Sequence, residues 1–181
     1  MIKASNRRDE VTIINFNDEV SHTVPFTSDI KTLEAGLSHL DSRGGTAMRD
    51  AVSLAIDVVN KEGKHDKKVV AVITDGNDTA STKASLEQLV EKAHESEVAI
   101  FSIGFLNDED KREAKKAKNA LEALSKASGG TASFPRELSS VSVAAVAIAS
   151  EIRNQDSIAK TKSSTERFDL KSITRSHRTT C

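Results

Sequence analysis

The sequence predicts an α/β domain with a mostly parallel sheet and helices on its faces. Three observations lead there. Short runs of β-branched and apolar residues recur, and most are followed by a segment with apolar residues at helical spacing. The helical segments are about ten to twenty residues long, the length of a crossover between parallel strands. Their starts carry Ser, Thr or Asp, and the longest is closed by paired glycines.

The elements follow in order. Val11–Phe16 (VTIINF) reads as a buried strand, and NDEV turns the chain into a second one, Val20–Thr27. Pro25 lacks a backbone donor and puts that strand at an edge. Ser28–Asp29 cap a helix over Ile30–Leu40 with Ile30, Leu33, Leu37 and Leu40 at helical spacing. DSRGGT is a loop whose Thr46 can cap a helix over Ala47–Lys61, with Ala51, Leu54, Ala55, Val58 and Val59 on its apolar face.

Lys67–Asp75 (KKVVAVITD) is a buried strand that ends on a carboxylate. Ser81–Ser96 is an amphipathic helix with Leu86, Leu89, Val90 and Ala93 inward, and Glu97–Phe105 is the next strand. A basic helix over Asp108–Ala127 stops at Gly129–Gly130. Thr131–Phe134 makes a short strand before Pro135, and Glu137–Gln155 forms the last helix. From Asp156 the pattern decays. Residues from Glu151 onward carry seven Lys/Arg against four Asp/Glu, so 1–155 is one domain and 156–181 a polar, basic, loosely ordered tail.

Composition narrows the function classes. A net charge of −1 gives no push toward nucleic acid or anionic membrane. Aromatics are 3%, all Phe, which argues against base-stacking surfaces. The basic run Lys111–Lys126 therefore reads as a solvated helix face. His22, His39, His65, His94 and His177 are scattered without metal-ligand spacing.

The single cysteine, Cys181, excludes an intramolecular disulfide and reads as an inert thiol. MIKASNRRDE has no apolar core behind its basic residues, and the run near Val141–Ala149 is too short to span a bilayer. As written, the chain is expected in the cytoplasm. It has no P-loop, no G-x-S-x-G and no complete dinucleotide fingerprint.

One stretch carries chemistry. In VVAVITDGNDTAS (Val69–Ser81) an apolar strand runs into Asp75, at the strand's carboxyl end, where open α/β sheets gather ligands. A bare buried carboxylate is very costly, so Asp75 must be hydrated, paired or bound to a cation. Gly76 lets the chain turn, and Asn77, Asp78 and Thr79 add oxygens. Thr46, behind two glycines, stands at another loop. Such oxygens suit Mg²⁺ or Mn²⁺. Residue types alone leave open a plain N-cap at Thr46, a plain turn at Asp75–Gly76 and a helix-dipole role for Asp50.

Together DEVTIINFND (Asp9–Asp18), GGTAMRDAV (Gly44–Val52) and VVAVITDGNDTAS, in this order, resemble a von Willebrand factor type A domain of the bacterial variety. AIFSIGF, LEALSKASGGTASFP and IASEIRNQ fit the same pattern, so the resemblance covers roughly residues 1–155. It implies a Rossmann-like, mostly parallel sheet with helices on both faces, and a metal-ion-dependent adhesion site. There a Mg²⁺ completes its shell with a protein partner's carboxylate. The matching ligands are Thr46 in the second loop and Asp75 in the third. Relatives of this kind are often exported or membrane-associated.

The family's first motif, D-x-S-x-S at the end of the first, central strand, occurs nowhere in this chain. The expectation is a sheet lacking that strand, with its neighbours unpaired unless they pair directly or a partner chain completes the sheet. The metal site is then incomplete, holding Mg²⁺ or Mn²⁺ weakly or not at all. The sequence thus predicts a non-enzymatic protein-binding module. A remnant without independent function and a Mg²⁺-assisted phosphoryl-transfer enzyme using Asp75 are the alternatives. A cation-dependent melt separates the first from a remnant, and phosphoester turnover marks the enzyme.

Overall fold

A computed structural model of the chain describes residues 9–38 and 44–153. Strands β1 (Val11–Phe16) and β2 (Val20–Thr27) form an antiparallel pair. Helices α1 (Ile30–Ser38) and α2 (Met48–Glu62) follow, then β3 (Lys68–Thr74), α3 (Leu86–Glu95), β4 (Val98–Gly104), α4 (Lys111–Ala127) and β5 (Ala132–Ser133). A last helix, α5, runs over 138–153. β3, β4 and β5 make a parallel sheet in that order, in the straight register Lys68↔Val98 through Thr74↔Gly104 for the first pair.

The period-two alternation of β4 explains the layering. Val98 and Ile100 join Val70 and Val72 of β3 against Met48, Val52 and Ile56 of α2, Leu89 and Ala93 of α3, and Leu121 and Leu124 of α4. Phe101 and Ile103 point the other way, into a second cluster with Ala145 and Ile148 of α5. Helices thus cover both faces of the parallel sheet, as the sequence predicts. No helix among the described residues is long and apolar enough to cross a membrane.

Local chemistry sets the helix ends. Ser85 accepts from Gln88 N while Gln88 bonds back to Ser85 N, a capping box that starts α3. Asp110 caps α4, and Gly129, at φ +79°, lets the chain leave it. Asp29 accepts from Lys31 N, Thr32 N and the Thr32 hydroxyl at the start of α1.

Three expectations need correction. Thr46 does not cap α2: the N-cap position is Ala47, with no side-chain cap bond. On α1 only Leu33 is buried, while Ile30 and Leu37 are 42% and 43% exposed, because α1 leans on the two-stranded pair alone; Leu40 lies outside the described residues. On α2, Val52 and Ile56 are buried, whereas Leu54 and Ala55 are half-buried.

β3 is not buried along its whole length either. Ala71 is exposed and Ile73 is 52% exposed. The cause is topological. Among the described residues β1 bonds only β2, and β3 bonds only β4 and no strand on its other side. The free edges of β1 and β3 border an open cleft walled by Ile14 and Phe16 on one side and Val69–Val72 on the other, over Val52 and Ala55 of α2. The two strands therefore do not pair directly. The tail from Asp156, with His177 and Cys181, lies outside the described residues, as does His39.

Candidate metal and binding site at the sheet rim

The carboxyl ends of β1, β3 and β4 bring four loops to one rim. Thr74 starts the β3 loop: its hydroxyl donates to the Gly76 carbonyl at 3.1 Å, and its own carbonyl accepts from Phe105 N at 2.9 Å. The turn lifts Asp75 out of the sheet. Its carboxylate is exposed, so hydration answers its desolvation problem.

Thr46 sits on the adjoining loop, fixed through its backbone. Its amide donates to Thr79 Oγ1 at 3.0 Å, and its carbonyl accepts from Thr79 N and Ala80 N at 3.0 and 3.1 Å. Ala47 N donates to the Asn17 carbonyl at 2.7 Å, and Gly45 N donates to Asp18 Oδ1, tying the same loop to the β1–β2 turn. A β-carbon at Gly45 would lie 2.7 Å from Asp18 Oδ1 and 3.1 Å from Ala80 Cβ, so a side chain there would displace the Asp18 carboxylate from its bond.

Thr46 approaches Gly76, the residue that follows Asp75. A β-carbon on Gly76 would lie 3.9 Å from Thr46 Oγ1 and 2.5 Å from Glu109 Oε1. The missing side chain thus leaves room where a hydroxyl and a second carboxylate converge, beside Asp75. Glu109 also accepts from Asn77 N at 3.3 Å, and Asn77 Nδ2 donates to Glu113 at 2.8 Å. The Lys116 ammonium bonded to Glu113 lowers that carboxyl from its ordinary value, against an opposing effect of desolvation.

A buried polar lattice locks the two principal loops together. Asp78 accepts from Arg49 N at 2.7 Å, from the Arg49 guanidinium at 3.1 Å and from the Ser81 hydroxyl at 2.6 Å. Asp50, 8% exposed, accepts from the amides of Thr82, Lys83 and Ala84 at 3.0 to 3.2 Å. Burial pushes the Asp50 carboxyl up. The three amides, with the nearby Lys83 charge, outweigh it and hold the group below its ordinary value. Asp50 is therefore more than a helix-dipole residue: it fastens the loop leading into α3.

Of the residues singled out in the sequence, Thr46 and Asp75 occupy the rim, whereas Asn77 bonds Glu113 of α4, Asp78 bonds Arg49 of α2 and Ser81, and Thr79 bonds the Thr46 amide. Glu109 and Asp18 were not anticipated. Their signal was available: each is an acid within a few residues of a strand's carboxyl end, as Asp75 is. His22 bonds Thr12 and His94 lies near the Ala127 carbonyl, both far from metal-site geometry.

The donor set suits a hard cation in type. A hydroxyl and a carboxylate beside an open space match a divalent ion that keeps several waters. In number it is sparse: among the described residues no group of three or more His, Cys, Asp or Glu side chains is placed to hold a metal ion.

Solved structures share this architecture. The chain matches a von Willebrand factor type A protein from Catenulispora acidiphila at TM-score 0.62 and 17% identity, covering 85% of this chain and 34% of that one. It thus spans about a third of that relative's length. It matches the conserved hypothetical protein BatB from Bacteroides thetaiotaomicron at TM-score 0.60 and 19% identity, covering 84% and 83% of the two chains. An aerotolerance-related membrane protein from Bacteroides fragilis aligns at TM-score 0.63 and 20% identity, with the same coverage of 84% and 83%. At these identities the likeness speaks for the fold. No curated protein matches the chain. The von Willebrand factor type A domain family, whose members are generally protein-interaction modules and mostly not enzymes, matches residues 1–142. With most of its length matched, and with the sheet, helices and rim loops in place, the chain belongs to the von Willebrand factor type A domain family.

Proposed function

We propose that this chain is a non-enzymatic, adhesion-type protein-binding module whose contact surface is the rim around Thr46 and Asp75. The observation that carries the reading is an exposed Asp75 at the end of β3, with the Thr46 hydroxyl on the side of the adjacent Gly76, on loops that a buried lattice holds rigid. Preorganised loops lose little entropy on binding, which favours recognition by a fixed surface. Mg²⁺ or Mn²⁺ supplies a positive centre that can accept an acidic group of a protein ligand. Asp75 and Thr46 hold the ion, with the remaining positions taken by water, so the site is an incomplete adhesion site of modest affinity.

The test needs only the cation. A Kd of about 1 mM would stabilise the fold by about 1.4 kcal/mol at about 10 mM Mg²⁺. In a domain of this size that raises Tm by about 3–5 °C. The expected result is a rise of this order in the native chain and none in Asp75→Ala, which is exposed and should fold normally. An equal rise in both proteins would place the cation elsewhere, and no rise in either would remove metal from the reading.

A further inference from the structure

The outer face of α3 and α4 is divided by charge. Both helices cross between parallel strands of one sheet, so they lie side by side and run the same way. Leu89, Ala93, Leu121 and Leu124 hold them together beneath. Above that seam is a shallow groove floored by the half-buried Leu86, Val90, Ala123 and Ala127. One bank is acidic: Glu87, Glu91 and Glu95 are exposed along one side of α3 at successive turns. The other bank is basic. Lys116 and Lys126 are exposed, and their spacing from Ala123 puts them on its side of α4.

Folding of the single chain does not account for this segregation. Glutamates stacked at i and i+4 repel one another. Among the described residues no ion pair joins α3 to α4: Lys116 bonds Glu113 and Lys118 bonds Glu122 within α4, while Lys92 reaches back to Asp57 of α2. Two banks of opposite sign thus face outward across an apolar floor.

We propose that this face pairs with the same face of a second copy of the chain. In a twofold contact one patch meets itself, so the patch has to be self-complementary. A twofold axis laid along the groove meets that demand, because it sets α3 of one copy over α4 of the other. The register follows from His94, whose ring lies 3.4 Å from the Ala127 carbonyl and brings the ends of the two helices level. Glu91 and Glu95 of one copy then face Lys126 of the other, and the axis makes each contact twice. An axis across the helices would instead stack glutamates on glutamates. A partner of a single sign, nucleic acid included, would meet one bank and be repelled by the other.

The size of the face sets the strength. α4 is about 25 Å long, and packed helices stand about 8–10 Å apart. Two helices therefore offer roughly 500 Å² per copy, near the low end for specific interfaces. The dimer is accordingly weak and reversible.

The experiment follows the full chain by sedimentation velocity over a concentration series, at low and high salt. The native chain should dimerise reversibly, with a dissociation constant that rises with salt. Glu91→Lys and Lys126→Glu, both at exposed positions, should each weaken association by at least about tenfold. An equal mixture of the two variants should recover it, since every contact across the axis again joins opposite charges. Glu91→Lys/Lys126→Glu in one chain should recover it for the same reason. A native chain that stays monomeric up to about 1 mM would overturn the proposal and leave the groove to a different protein. So would a dimer that neither single variant weakens, or a loss that neither the mixture nor the double variant restores.

Discussion

Asp50→Asn isolates the lattice that holds the rim. The side chain is nearly buried and accepts three backbone N–H groups from residues 82–84. Asparagine keeps the shape and one acceptor oxygen, but it loses the charge and turns an N–H₂ toward donors. Hydrogen bonds to a charged group contribute about 1.5–3 kcal/mol each, and a stranded buried donor costs about 1–3 kcal/mol. Thr82 and Lys83 are exposed, so water can replace the acceptor at two of the three amides. The net loss is therefore nearer one strong bond than three, about 2–3 kcal/mol. That corresponds to a fall in Tm of about 5–10 °C.

Thermal and guanidinium unfolding at neutral pH measure the loss. The pH dependence then identifies its origin. The folded pKa of Asp50 lies below its unfolded value, so its contribution is complete above the ordinary carboxylate range and disappears as pH falls through the folded pKa. The gap between the native chain and Asp50→Asn should accordingly be widest near neutrality and close in acid. A loss under about 0.5 kcal/mol would refute the claim that this carboxylate fastens the loop. A gap that persists unchanged in acid would refute the charge as its source.

Other perturbations probe the core and the rim. Ser102 and Ser125 are fully buried and bonded to each other at 2.9 Å, so Ser125→Ala should destabilise by about 1–2 kcal/mol, while the double alanine variant recovers part of that in denaturant melts. Gly130→Ala would set its β-carbon 2.1 Å from the Ile100 carbonyl oxygen, a backbone clash expected to remove more than about 3 kcal/mol by the same measurement. Leu124→Ala opens a cavity under α4 and should cost about 2–5 kcal/mol. Gly76→Ala meets only the movable end of Glu109; stability should change by less than about 1 kcal/mol, whereas the cation-induced rise in Tm should shrink.

Strands and most helices were legible because each local signal agreed with the tertiary outcome. β1 and β2 appear where the residues put them, while α3 starts only at Leu86, after the Ser85 capping box, and not at Ser81. The misreadings share a cause in packing partners. The stripe on α1 is helical in spacing, yet Ile30 and Leu37 stay exposed because only a two-stranded pair lies beneath it. The apolar run of β3 reads as a strand buried on both sides, but burial also requires a neighbour at its edge, and Ile73 shows the lack. At the rim, Asp75 stood out because it directly ends an apolar strand, whereas Glu109 follows β4 by a longer loop, so its strand-end position was a weaker form of the same signal.

The cleft and the rim are mechanically linked through one short segment. Residues 45–47 bond the β1–β2 turn through Asp18 and the Asn17 carbonyl, and bond the β3 side through Thr79 and Ala80. This segment is therefore a clasp across the top of the gap between β1 and β3. Below it, no ladder joins the two sheets among the described residues. The position of Thr46 relative to the β3 loop is therefore set by the clasp. Cation affinity should fall in Thr79→Val, which removes the hydroxyl that accepts from the Thr46 amide, although Thr79 is not a ligand. Equal cation-induced shifts in Tm for that variant and the native chain would show that this bond of the clasp does not position the site.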